Sequence, residues 1–283
     1  MKVLDTITSL EKFNQIVQGI RERRGVTQGL SLPYRHEFFR GQINSTWSII
    51  PSLSRDFTHM DALKDAEEQV MNLFKKLVKE KDAEHKIFLH EKPRNHRNEW
   101  LWMSQGQHIG VPTRLLDWTI KPEVALYFAV EDKQYDGVDG QLIVMYVPGE
   151  MLKTDSNEDE QYFDLHFRDV NETWFMNPSF FWHERFKELT PEVRRARQHG
   201  KFSLQPYDLA LSGLDSQPRL QIPWNETFDV VIEKYVIPVE HKPQLRLDLI
   251  SKGWHGEYLY FNEDPVLNEI RDRCKELRNS LIR

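Results

Sequence analysis

The stretch Gln105-Gly-Gln-His-Ile-Gly-Val-Pro-Thr-Arg-Leu-Leu-Asp-Trp-Thr119 concentrates two glutamines, a histidine, an arginine, an aspartate and a hydroxyl beside the apolar run that ends at Ala129. Outside that stretch Arg40 offers a planar fork of donors; within it His108 offers a ring that donates or stacks, Asp117 a carboxylate and Thr119 a hydroxyl. Such a density of chemistry next to core residues reads as a site.

The surrounding elements must position it. Gly106, Gly110 and Pro112 punctuate the backbone and predict a loop, because glycine permits positive φ and proline disfavours helix at the residue before it. Thr113 to Trp118 reads as extended, with Arg114, Leu116 and Trp118 on one face and Thr113, Leu115 and Asp117 on the other. Thr119 is the expected N-cap of a short buried helix carrying Val124, Leu126, Phe128 and Ala129, with Ala125 permitting close contact.

The rest of the chain predicts an α+β fold with mixed, mostly antiparallel sheets flanked by helices. Thr8 and Glu11 suit a capping box for an N-terminal helix over about 8–24, whose stripe is Leu10, Phe13, Ile16, Val17 and Ile20. Glu37 to Gln42 is extended, and Trp47 to Leu53 continues as an edge or strand end because of Pro51. Leu63, Ala66, Val70, Phe74 and Leu77 recur at helical spacing from Asp61. Residues 79–98, with His85, His90 and His96, read as helix then loop with a solvated face. Gly140 to Pro148 and Asp229 to Pro238 read as buried strands, and residues 150–225 as an insertion or cap over a sheet edge. Glu257 to Phe261 reads as a strand. Asp264 and Pro265 then open a terminal helix over about 264–282.

With 283 residues, 39% hydrophobic and 12% aromatic, the chain suits one large domain spanning 1–283 rather than disorder. A net charge of −6 gives no global field for nucleic acid, although Arg194, Arg195 and Arg197 form a local basic cluster, read either as a solvated face or as a phosphate contact. No secretory signal and no membrane-length apolar run is present, so a cytoplasmic protein is expected. The single cysteine, Cys274, excludes an internal disulfide and lies among apolar residues that predict a packed core thiol. No metal-ligand spacing is seen around His108, and no phosphate-loop, dinucleotide or nucleophile-elbow motif occurs.

Phe39-Arg40-Gly41-Gln42, Trp47 and Pro51-Ser-Leu-Ser-Arg55, followed by Gln107 to Thr119 and Ala125-Leu-Tyr-Phe-Ala129, resemble the FRG domain family, named for its Phe-Arg-Gly tripeptide. Arg197 to Phe202 is similar to that family's third block and Gly253 to Glu263 to its closing strand, so the resemblance covers about 30–265. It implies links to bacterial defence and toxin-like systems. A more distant resemblance is to ADP-ribosyltransferase folds of the Arg-Ser-Glu type, with an ADP-ribosyltransferase-like core carrying an insertion. It places Arg40 as the first element, Asp117-Trp118-Thr119 at the Ser-Thr-Ser position ahead of Ala125 to Ala129, and Gln198 where a glutamate is due.

That resemblance implies NAD as a substrate, with a protein or nucleic-acid target. It implies Arg40, Asp117 and Gln198 as catalytic residues, and Arg40, Gln42, His108, Thr113, Arg114 and Thr119 as nucleotide-binding ones. Cleaving the nicotinamide bond develops an oxocarbenium-like cation that a carboxylate stabilises. Gln198 carries no charge, so Asp117, Glu233 or Glu257 substitutes, or the site binds a nucleotide without turning it over. Arg40 and Asp117 are alternatively a structural ion pair, and Arg114 is alternatively the cleft arginine in place of Arg40. His108 is alternatively a satisfied histidine. Three classes stay open: a transferase-like enzyme or NAD-cleaving effector, an inactive nucleotide- or nucleic-acid-binding module, and a structural interaction protein.

Overall fold

The computed structural model describes residues 3–23, 35–85, 97–148, 174–176, 198, 200–216, 231–259 and 265–282. Among the described residues, seven strands form one mixed sheet: β1 (Val3–Thr6), β2 (Arg35–Gln42), β3 (Leu115–Thr119), β4 (Gly140–Pro148), β5 (Trp174–Met176), β6 (Gly200–Leu204) and β7 (Val231–Ile237). Their order is β1-β7-β4-β2-β3-β6-β5, parallel at β1–β7 and antiparallel elsewhere. The expected α+β class with a mixed sheet therefore stands.

The helices are α1 (Leu10–Arg23), α2 (Met60–His85), α3 (Arg97–Ile109), α4 (Pro122–Val130), α5 (Tyr207–Ser212), α6 (Lys242–Ser251), α7 (Gly256–Leu259) and α8 (Pro265–Ser280). Alternation splits the sheet's apolar side chains between two layers. Phe39, Leu142, Val144, Tyr235 and Ile237 pack with α1, α4 and α6, whereas Phe38, Ile143, Met145, Leu116 and Trp118 pack with Ile49, Leu209 and Leu214. A further core joins Leu115, Phe202 and Leu204 to the buried stripe of α2, Trp102 and Met103 of α3, and Ile270 and Cys274 of α8.

Several local expectations are corrected. Ser9, not Thr8, caps α1: its Oγ accepts the Lys12 amide at 3.1 Å. The glycine punctuation around 106 is not a loop, because Gln105 to His108 belong to the last turns of α3. There Gly106 packs against the Phe74 ring, and only Gly110 adopts a positive φ, +87°. The amides of Gly110 and Val111 return to the carbonyls of Gln107 (3.1 Å) and Gly106 (2.9 Å), a Schellman stop.

Thr119 ends β3 rather than capping α4; its hydroxyl accepts the Lys121 amide at 3.0 Å, and Pro122 opens the helix. Trp47 to Leu53 is not a strand, and Glu257 to Leu259 is helical rather than extended. Within the stretch 150–225 expected as a cap, the described residues add β5 and β6 to the sheet itself. Arg194, Arg195, Arg197, His90, His96, Tyr260, Phe261 and Asp264 lie outside the described residues.

Candidate functional site

The sheet opens between β2 and β3. These strands pair at Phe39 opposite Thr119 and nowhere else, so the following residues of β2 have no ladder partner on that side. The Arg40 guanidinium crosses the opening instead, its Nη1 donating to the Asp117 carbonyl at 2.7 Å. β4 pairs with β2 from Arg35 to Gln42, and β6 pairs with β3 along all five residues, so both sides of the opening are firmly built.

A cleft of about 290 Å³ occupies the opening, near the low end of the roughly 300–1,000 Å³ usual for small-molecule sites. Six expected residues line it: Arg40, Gln42, His108, Asp117, Thr119 and Gln198. Thr119 Oγ1 donates to the Gln198 carbonyl at 2.6 Å, tying the end of β3 to a residue 79 positions away. The Gln198 amide donates in turn to the Leu259 carbonyl at 3.2 Å. α4 and its C-cap supply a wall through Ala125, Phe128 and Glu131, which recur every three residues along one flank.

Arg40 is partly exposed, yet its Nε is enclosed and has no hydrogen-bond partner. Burial draws its pKa down to about 10; the Asp117 charge acts upward and the Arg55 charge downward. It remains a cation at neutral pH. In place of the alternative Arg40–Asp117 ion pair, the hydrogen bond between them goes to the aspartate's backbone oxygen, while the Asp117 carboxylate accepts a hydrogen bond from Gln107 Nε2. Gln107 is oriented by Thr113, whose hydroxyl donates to its Oε1 at 2.6 Å.

Two expected nucleotide-binding residues do not line the cleft. Thr113 is buried behind Gln107 and acts on Asp117 through it. Arg114 is fully buried, with Nε 3.2 Å from Glu67, Nη1 donating to the Gln205 carbonyl at 2.6 Å, and its guanidinium 3.7 Å from the Tyr207 ring centre. Of Arg40 and Arg114, Arg40 is therefore the one that stands in the cleft. Gln42 reaches the cleft while its Oε1 accepts from Gln141 at 2.6 Å, an arrangement that steadies the loop after β2.

The alternative acids fare differently. Glu233 accepts from the Tyr146 and Tyr235 hydroxyls at 2.7 and 2.8 Å and lies outside the lining, as does Glu257. Glu131 and Arg55 line the cleft and were missed. The three-residue spacing Ala125, Phe128, Glu131 points to the first; Arg55 ends the Pro51 to Arg55 stretch, which carries no helical or strand periodicity to place it.

Trp47, 39% exposed, also stands at the cleft, edge-on to Tyr135; Trp118 is buried and lines the cleft as well, while Trp102 is core. Cys274 is fully buried, and burial pushes its thiol up to about 12. Among the described residues, no group of three or more His, Cys, Asp or Glu side chains is placed to hold a metal ion, and no helix is long and apolar enough to cross a membrane.

Comparison with curated proteins and with solved structures finds no match to this chain. Residues 35–137, the stretch that supplies β2, α2, α3, β3 and α4, match the model of the FRG domain, which supports the FRG resemblance read from Phe39-Arg40-Gly41 and from Thr113 to Thr119.

Proposed function

We propose that the cleft binds NAD as a substrate and that the protein is an ADP-ribosyltransferase-like, NAD-cleaving enzyme. One observation carries the reading: Arg40, Thr119 and Gln198, scattered along the chain, stand around one opening on three neighbouring strands or their ends, in the order the resemblance requires. A purely structural motif has no need to gather these side chains where the sheet parts.

In this reading Arg40 holds the pyrophosphate or ribose, and Thr119 fixes the Gln198 segment. When the bond from the ribose anomeric carbon to nicotinamide breaks, its electron pair leaves with the nicotinamide nitrogen. The positive charge left on the ribose is met by a carboxylate, and an acceptor hydroxyl or water then adds to that carbon and gives up its proton. Asp117, held by Gln107, and Glu131, just after α4, are the two acids among the described residues that line the cleft. Gln198 can hydrogen-bond a ribose hydroxyl but adds no charge.

A second reading, a nucleotide-binding module without turnover, is favoured by that neutral amide, already engaged with Leu259. Nicotinamide release from NAD, measured for wild type, Asp117→Asn, Glu131→Gln and Gln198→Glu alongside calorimetric binding, separates the two. Loss of the working carboxylate is expected to slow release about a hundred- to a thousand-fold with little change in binding, and Gln198→Glu to raise it. Binding without release from any of the four selects the second reading. Neither binding nor release removes both.

A further inference from the structure

Arg55 closes the Pro51 to Arg55 stretch, to which the sequence assigns no chemical role, yet it lines the same cleft as Arg40 and lies close enough for its charge to act on that guanidinium. The loop that presents it is stiff. Leu53 and Phe57 are buried in the core on either side, the Leu53 amide donates to the Thr113 carbonyl at 3.1 Å, and Arg278 of α8 donates to the Leu53 carbonyl at 3.2 Å. Asp56, the next residue, is held at φ 69°, so the chain turns sharply just after Arg55. The loop therefore fixes the base of a long, exposed cationic side chain.

Two guanidinium groups brought together in a partly enclosed cleft repel, and the repulsion is relieved when a multiply charged anion lies between them. Asp117, whose charge acts on Arg40 against that of Arg55, and Glu131 also line the cleft and offset part of the positive charge. A single phosphate satisfies one fork; two linked phosphates satisfy both.

We propose that Arg55 is a second anion-binding residue and that Arg40 and Arg55 together grip the two adjacent phosphates of a nucleoside diphosphate, one arginine to each phosphate. This rests on reading the cleft as a nucleotide site, and it narrows the ligand: recognition is of the diphosphate. Nucleosides and nucleoside monophosphates, nicotinamide mononucleotide included, are poor ligands on this account.

Calorimetric titration of the full chain with ADP-ribose, ADP, AMP and adenosine tests it, using wild type, Arg55→Ala, Arg55→Lys and Arg40→Ala, with thermal melts to check that each variant is folded. Wild type is expected to bind ADP and ADP-ribose at least about 10-fold more tightly than AMP, and adenosine more weakly still. Arg55→Ala is expected to weaken ADP about 10- to 100-fold while weakening AMP less, so that the diphosphate preference collapses, and Arg55→Lys to restore only part of it. Equal affinity of wild type for ADP and AMP overturns the clamp, as does an unchanged ADP to AMP ratio in a folded Arg55→Ala. Arg55-dependent binding of a single-stranded oligonucleotide, without ADP binding, also overturns it, in favour of a nucleic-acid backbone. A wild type that prefers ADP as expected but releases no nicotinamide from NAD leaves the clamp standing and removes only the enzyme reading.

Discussion

Gly41 lies backbone to backbone against Ala125: a Cβ at position 41 would stand 1.8 Å from the Ala125 carbonyl oxygen and 2.8 Å from the Ala129 amide nitrogen. β2 and α4 therefore approach as closely as peptide groups allow, and this contact sets the height of the α4 wall beside Arg40. The glycine after Phe39-Arg40 is there for want of space.

Gly41→Ala is accordingly expected to cost at least the ~1–3 kcal/mol typical of overpacking, because the obstacle is main chain and no side-chain tip can swing aside. Gly106→Ala is the contrast. Its Cβ would meet only the Phe74 ring at 3.3 Å and Val111 at 3.4 Å, and alanine in place of glycine within α3 favours the helix by about 1 kcal/mol, so near-neutral stability is expected. Urea denaturation of both variants decides it; equal stabilities would show that the helix shifts freely over β2.

Arg114 and Glu67 form a buried pair under the Tyr207 ring, with the Tyr207 hydroxyl donating to the same carboxylate at 2.5 Å. Arg114→Ala is expected to lose about 3–5 kcal/mol by stranding the Glu67 charge, whereas Arg114→Met with Glu67→Leu recovers much of that loss. Equilibrium denaturation reads both. If the double variant is no better than the single, the pair contributes through its bonds to Gln205 and Tyr207 more than through charge.

Cys274 couples stability to alkaline pH. Its folded value, raised by burial from an ordinary 9.0 to about 12, means that only the unfolded chain releases the thiol proton between those values. The folded protein then holds more protons than the unfolded one, so the stability associated with the neutral thiol is intact below pH 9. It falls by about 1.4 kcal/mol per pH unit as pH rises toward 12. Cys274→Ala should lower stability at neutral pH through the lost packing yet show a shallower decline above pH 9. Parallel slopes in denaturation from pH 8 to 10.5 would contradict this assignment.

Apolar periodicity made α1, α2, β4 and β7 legible, because each presents one continuous buried face or run. The glycines near 106 misled for a physical reason: glycine's freedom is used at Gly110, whereas its small size is used at Gly106, and the residue type is the same. Arginine posed the same problem. Arg114 and Arg40 look equivalent until Glu67 is brought beside the first and the opening beside the second. The short pairing of β2 with β3 depends on where two strands diverge, which no local pattern encodes. Glu257-Tyr-Leu has strand-like composition, yet the Tyr258 and Leu259 amides bond back to the His255 carbonyl and close a helical turn.

The same divergence bears on what can be cut out of this protein. The stretch 35–137 that carries the family match holds β2 and β3, which share one pairing, while their extensive partners β4 and β6 both come later in the chain. Excised alone, that stretch would leave both strands with open edges and Phe38, Phe39, Leu116 and Trp118 short of their neighbours. The matched segment is thus a unit of recognition between sequences without being an autonomous unit of folding.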